Sequence, residues 1–266
     1  MKPFRKWIYY GRSIFRILFN FKGWLPLIPS FFNPKIRQDH TVKLRKPSLR
    51  FIVRGAMDLW SIKETFLDAF YTRYGVPLKD GWQVVDIGAG IGDFSLYAAH
   101  GRPGTVVYSF EPYPESFNLL KQNLVLNSVD NVLAFQTAIW REAGQLTLDQ
   151  SAGEPLQFNT KEGAVTGEAN EGMVVNAITL KGVFDQFKIE KIDLLKLDCE
   201  GAEYAILSAT AAETFEKIKH IIMEYHDIDD EKDHLRLALF LEDIGYQVSC
   251  YQNFVHEDIG YLFATC

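Results

Sequence analysis

Val84-Val85-Asp86-Ile87-Gly88-Ala89-Gly90-Ile91-Gly92-Asp93-Phe94 is a short apolar run that breaks at three alternating glycines and resumes with apolar residues. β-Branched residues bounded by a turn signal read as a buried strand, so the stretch predicts a strand over 82–87, a glycine turn and a helix over 92–100. Glycines at 88 and 90 let the chain turn sharply and let backbone approach a ligand with no Cβ in the way, and Gly92 permits close packing of helix on strand. A glycine turn alone is a weak signal, because dinucleotide enzymes use one too. Spacing separates the cases. The dinucleotide fingerprint is G-x-G-x-x-G with a pyrophosphate at a helix N-terminus; this chain has Gly88-x-Gly90-x-Gly92 with Asp86 two residues before the first glycine. An acid there suits a cationic ligand, reached by a charge-assisted contact or through water. The plainer reading is an Asp that caps a turn.

Outward from this unit the pattern alternates. Strands are predicted at 105–110, 132–137, 192–198, 219–225, 246–251 and 259–265, with helices near 114–127, 201–215 and 231–244. This is the rhythm of an α/β fold, a doubly wound, mostly parallel sheet covered on both faces. Residues 141–178 break it: rich in Gly, Glu, Gln and Asn, with alternating pieces at 145–148 and 173–178, they read as an inserted hairpin and loop. Upstream, Ser61-Ile62-Lys63-Glu64 has capping-box spacing, Phe66, Phe70 and Tyr74 follow at helical intervals, and Gly75-Val76-Pro77 supplies a stop.

With 266 residues, 47% of them hydrophobic, the chain can bury one large core and carry an appendage. Its net charge of -6 hides a split, since residues 1–50 carry twelve Lys/Arg against Asp39 alone. The predicted division is a basic aromatic extension over 1–50 and a catalytic domain over 51–266 that contains the insert. From Trp7 to Phe32 the extension mixes aromatic and aliphatic residues with Arg12, Arg16 and Lys22. It reads either as a lid or dimer arm packed on the domain or as a helix on an anionic membrane surface; a homodimer stays open. No charge-free apolar run reaches the ~18 residues that a span needs. Arg12 and Arg16 interrupt what would otherwise imitate an export signal. Cys199, Cys250 and Cys266 have no disulfide-framework or zinc spacing, which points to a reducing, cytoplasmic setting with contact to the membrane's cytoplasmic face left open. The acidic body makes nucleic acid a poor partner.

Three strand ends carry the remaining chemistry. Val106 to Phe110 leads into Glu111-Pro112, an acid about twenty residues after the glycines, where a carboxylate can accept bonds from ribose hydroxyls or be a solvated strand end. The strand near 132–137 brings Thr137 and Ala138 toward a nucleobase on weaker grounds. Ile192 to Leu197 leads into Asp198-Cys199-Glu200-Gly201-Ala202-Glu203, placing Asp198 and Glu200 at the carboxyl end of the sheet, where open α/β sheets bind ligands. Two acids there are costly unless they bind something. Glu203 reads equally as a helix-dipole acid. Glu224 and His226 reach the same rim from the next strand. His226 is the first candidate base, since imidazole titrates near neutrality, and Asp198 is the second. A competing arrangement has Asp198 and Glu224 holding Mg²⁺; it is not favoured, and no metal ligand is assigned.

These residues resemble the FkbM family of class I methyltransferases. The carrying pieces are VVDIGAGIGDFSLYAA (84–99), FEPYPESFNLLKQNL (110–124), LLKLDCEGAEYAIL (194–207) and IIMEYH (221–226), in that order, within a resemblance covering about residues 80–265. The resemblance implies a seven-stranded sheet of order 3-2-1-4-5-7-6 with its last strand antiparallel, S-adenosylmethionine over the first two loops, and commonly O-methyl transfer to a sugar, polyketide or similar hydroxylated acceptor. S-adenosylmethionine is cationic and has no phosphate, in keeping with the acids. The expected cofactor set is Asp86, Gly88, Ala89, Gly90, Gly92, Glu111, Pro112, Thr137, Ala138 and Asp198; the expected catalytic set is His226, Asp198 and Glu200. Residues 1–50 and the insert inherit nothing from the resemblance. Two other classes compete: a catalytically silent cofactor-binding or membrane-tethered scaffold, and a nucleotide-dependent oxidoreductase, which would need the G-x-G-x-x-G this loop lacks.

Overall fold

The structure is a computed structural model that describes residues 3–75, 77–148, 173–229, 233–253, 255–256 and 258–266, with side chains from Lys6 onward. The chain opens with α1 (Pro3–Asn20), the short strand β1 (Phe21–Lys22) and α2 (Ile28–Phe32), followed by a hairpin of β2 (His40–Leu44) and β3 (Leu49–Val53). These strands form a small antiparallel sheet. Val42, Leu44, Leu49, Phe51 and Val53 alternate onto one buried face, as the two-residue period of a strand requires. The boundary expected at residue 50 therefore falls inside β3. Residues 1–50 are no separate appendage: Ile17, Phe21, Leu27 and the hairpin face share one core with Val84, Val107, Leu194 and Ile222 of the main sheet.

Next come α3 (Ala56–Lys63), a wider π-helical turn over Glu64–Asp68, Ala69 in the left-handed region (φ 55°), and α4 (Phe70–Arg73). The predicted capping box is corrected here. The helix begins before Ser61, because Asp58 accepts from the backbone N–H of Arg54 (2.7 Å) and pairs with its guanidinium (2.8 Å), satisfying the start one turn earlier. Ser61 instead donates to Asp93 (3.1 Å).

The main domain follows the predicted alternation through β4 (Gln83–Ile87), α5 (Asp93–Ala99), β5 (Val106–Phe110), α6 (Pro114–Leu126) and β6 (Val132–Phe135). Then β7 (Ala138–Ile139), β8 (Gly144–Leu148) and β9 (Met173–Ile178) form a second small sheet. β8 and β9 pair antiparallel, as the inserted hairpin requires, with Leu146 opposite Val175; residues 149–172 of the expected loop lie outside the described residues. An unpredicted helix, α7 (Leu180–Phe187), is capped by Thr179, whose hydroxyl accepts from the Gly182 N–H (2.9 Å).

The chain closes with β10 (Leu194–Leu197), α8 (Glu203–Ser208), α9 (Ala212–Phe215), β11 (His220–His226), α10 (His234–Asp243), β12 (Gln247–Gln252) and β13 (Ile259–Thr265). The helix expected over 201–215 is broken in two by an extended Ala211, with the Thr210 hydroxyl turned back onto the Ile206 carbonyl (2.7 Å).

The seven-stranded sheet runs β12-β13-β11-β10-β4-β5-β6. Counted within the sheet this is the order 3-2-1-4-5-7-6, and β13 is antiparallel to both neighbours. The order reverses between β4 and β10, which are parallel neighbours. At such a switch point the loops leave in opposite directions and open a crevice above the carboxyl ends of the strands.

Candidate active site

The glycine turn closes that crevice from below. The N–H groups of Gly88 and Ala89 both donate to the Phe110 carbonyl (3.0 and 3.1 Å), which ties the end of β4 to the end of β5. Gly88 has φ +71°, and a Cβ there would lie 1.8 Å from the Asp198 carbonyl oxygen. Only glycine permits this approach of the β4 and β10 ends. Gly90 (φ +53°) is different, since a Cβ there would meet no atom within 4 Å. Gly92 packs on Leu120 of α6, 3.0 Å from a built Cβ, rather than on the strand.

Glu111 is held between the two loops, its carboxylate accepting from the N–H groups of Gly90 (2.8 Å) and Tyr113 (2.9 Å). Burial pushes its carboxyl up to about 7 despite those two donors. Together with Gly88, Gly90, Pro112, Ala138, Asp198, Glu200 and His226 it lines a cavity of about 270 Å³, many times the ~30 Å³ share of one water. Asp86, Ala89, Gly92 and Thr137 do not line it. Ala89 is in the core beneath, and Thr137 lies in the short link between β6 and β7.

Asp86 is the main correction. Its carboxylate is fully buried, accepting from Ser95 Oγ (2.6 Å) and pairing with Lys196 Nζ (3.1 Å). A direct charge contact between Asp86 and a ligand in the cavity is therefore not what the fold provides. Lys196, unassigned by the sequence reading, projects from β10 and also donates to the Gly88 carbonyl (2.9 Å), with Asp198 Oδ2 at 3.7 Å. The rings of Tyr71 and Phe94 lie 5.3 and 5.9 Å from its ammonium. Burial opposes the charge, but Asp86, Asp198 and Asp93 overcome it and raise the ammonium above the ordinary lysine value. Tyr71, from α4, donates to Asp198 Oδ2 (2.6 Å). A lone Tyr 127 positions earlier in the sequence gave no signal for this.

The far rim is an acidic ring around one imidazole. His226 Nε2 lies 3.3 Å from Glu200 Oε2, and Nδ1 lies 3.7 Å from Glu203 Oε1. Glu203 is fully buried and accepts from the Cys199 N–H (2.8 Å), so it is more than a helix-dipole acid. Glu200 is left-handed (φ 55°), a strained state for a residue with a side chain, and Gly201 follows at +93°. Burial would lower the imidazole, yet Glu203, Glu200 and Glu224 push it to about 10. That shift favours the charged imidazole and opposes the free-base role expected of His226. Asp198, Glu200 and His226 also bring one ligand atom each within 4.8 Å of the others, a different grouping from Asp198 with Glu224. The imidazolium already supplies these carboxylates with a counter-charge. Glu224 is raised well above the carboxylate range by burial, then by Asp198.

The family described as the methyltransferase FkbM domain matches residues 86–248. The chain belongs to the FkbM methyltransferase family. It is similar to the 31-O-demethyl-FK506 methyltransferase FkbM of Streptomyces tacrolimicus, with 31% identity over 63% of this chain and 74% of that protein. Methyltransferase sdnD of Sordaria araneosa is 29% identical over 70% of this chain and 81% of its own. A solved methyltransferase FkbM from Methylobacillus flagellatus shares the fold, with a TM-score of 0.52 at 17% identity. That match covers 74% of this chain and 47% of the other, so this chain spans about half its length.

Two outcomes follow for this FkbM-family member. Gly88→Ala forces two backbones apart and lowers the thermal midpoint by at least ~5 °C; Gly90→Ala costs about 1 kcal/mol of stability but removes ligand binding, as calorimetry would show. In a proton-detected titration, the His226 ring keeps its charge to well above pH 8, and Glu200→Gln moves that titration toward the ordinary histidine value.

Proposed function

We propose that this protein transfers a methyl group from S-adenosylmethionine to a hydroxyl on a sugar, glycan or other natural-product-like acceptor. The observation that carries this reading is the charge of the cavity. Glu64, Asp93, Glu111, Asp198, Glu200 and Glu224 line it, against Lys196 and His226 as formal cations. Burial lifts Glu64 and Glu111 to about 7 each, and raises Asp93 and Glu224 as well. A bound cation would draw these carboxyls back toward their ionised form, so six acids against Lys196 and His226 favour a sulfonium and an ammonium over a pyrophosphate, which weighs against the oxidoreductase reading. The residues fit the cofactor: Glu111 offers lone pairs to ribose hydroxyls beyond the two N–H bonds it accepts, and Gly90 leaves its Cβ position to the ligand.

When bound, S-adenosylmethionine supplies an electrophilic methyl on a good leaving group, so the chain's own task is to place the acceptor oxygen and take its proton. Asp198 is the acceptor-facing base. Tyr71 fixes its Oδ2, and its other oxygen has no hydrogen-bond partner among the described residues. Glu224, on the neighbouring strand, is lifted well above the carboxylate range by burial and then by Asp198. The imidazolium of His226 orients Glu200 and keeps the acidic rim from repelling itself.

Titration with S-adenosylmethionine gives saturable heat, and Glu111→Ala weakens binding by at least ~100-fold. Only the ionised Glu111 accepts freely, and its pKa is raised, so affinity falls about tenfold from pH 8 to pH 6 and is flat in Glu111→Gln. Mass spectrometry of hydroxylated acceptors incubated with enzyme and labelled cofactor shows the gain of one methyl. Saturable cofactor binding without any methylated product would make the chain a silent scaffold instead.

A further inference from the structure

Helix α1 faces the wrong way for a helix that covers its own core. The side held by the body carries Tyr9, Ser13, Arg16 and Ile17. The Tyr9 hydroxyl donates to Glu64 (3.0 Å) and accepts from Lys63 Nζ (2.7 Å). Arg16 pairs with Asp68 and donates to the Leu67 carbonyl (3.0 Å), and Ser13 and Ile17 are 2% and 3% exposed. At 100° per residue, Trp7, Ile8, Ile14, Phe15, Leu18 and Phe19 fall in one arc of roughly 140° opposite that side. All six are exposed, Trp7 at 76%, Phe15 at 61% and Phe19 at 60%.

Scattered exposed hydrophobics are ordinary, but a row of six on one helix face is a docking surface. Its charge says what docks. Residues 1–38 contain eight Lys/Arg and no Asp or Glu, and by the same helical arithmetic Arg12 lies at the edge of the arc. We infer that the outer face of α1 seats this protein on an anionic lipid bilayer, with the apolar row at the headgroup–acyl boundary and the cations among lipid phosphates. Among the described residues no helix is long and apolar enough to cross a membrane, so α1 lies in the interface plane. A second copy bound through the same arc would bring two acid-free basic segments together, which electrostatics disfavours. The helix also braces Lys63 and Glu64, and Glu64, with Trp60 and Ser61 beside it, lines the cavity, so the wall of the active site stands directly behind the docked face.

The test is co-sedimentation of the full chain with phosphatidylcholine vesicles, with and without phosphatidylglycerol. The wild type pellets with the anionic vesicles, less so at high salt. The double variant Phe15→Glu/Phe19→Glu, changed only at exposed sites, partitions at least ~tenfold more weakly with unchanged thermal midpoint. Failure to pellet with anionic vesicles, equal pelleting on both vesicle types, or equal pelleting of the double variant overturns the inference. So does a dimer in sedimentation velocity that the double variant dissociates, which would assign the face to a second copy.

Discussion

The ammonium of Lys196, buried in the middle of the sheet, is the constraint on which the site depends. A buried cation costs several kcal/mol unless oxygens replace its water, and here Asp86, the Gly88 carbonyl and Asp198 do so, with two aromatic faces beside them. Those oxygens belong to the ends of β4 and β10, the two strands that flank the switch point. One cation thus joins the glycine turn to the acidic loop and fixes the floor on which a ligand rests. The Gly88 position, where any Cβ would strike the Asp198 carbonyl, is the steric half of the same constraint.

Above that floor six acidic side chains line the cavity together with Lys196 and His226. Several lifted carboxyls in one cleft are costly, since each is destabilising once ionised. The sign follows from the shifts: a carboxyl raised to about 7, as in Glu64 and Glu111, contributes its stability at low pH and loses it as pH rises through 7. A cationic ligand offsets that loss, which couples cofactor binding to the stability of the domain. His226 is part of the same balance. Its acidic neighbours Glu203, Glu200 and Glu224 raise it, which favours a cation there.

The sheet and its switch point were legible because strands buried on both faces leave short β-branched runs, and all seven stand within two residues of their predicted limits at either end. Glu111, Asp198 and Glu200 were legible because acids at strand ends are rarely idle. What could not be read is what depends on contacts distant in sequence. Asp86 sits in the right motif but points at Lys196, a partner 110 residues later; Tyr71 reaches Asp198 across 127 positions; and the charge of His226 is set by three acids that only the fold assembles. Two misses had local signals. Leu180, Val183, Phe184 and Phe187 follow a helical period behind a Thr cap, and the Arg54–Asp58 spacing marks a helix start that the Ser61 pattern obscured.

Lys196 and Asp86 act as one buried pair that holds the cleft together. A urea-unfolding cycle of Lys196→Met, Asp86→Asn and the double variant measures this directly. Each single change should cost about 3–5 kcal/mol and the double little more than the worse single, a coupling of roughly 3 kcal/mol. Additive losses, with coupling near zero, would contradict it.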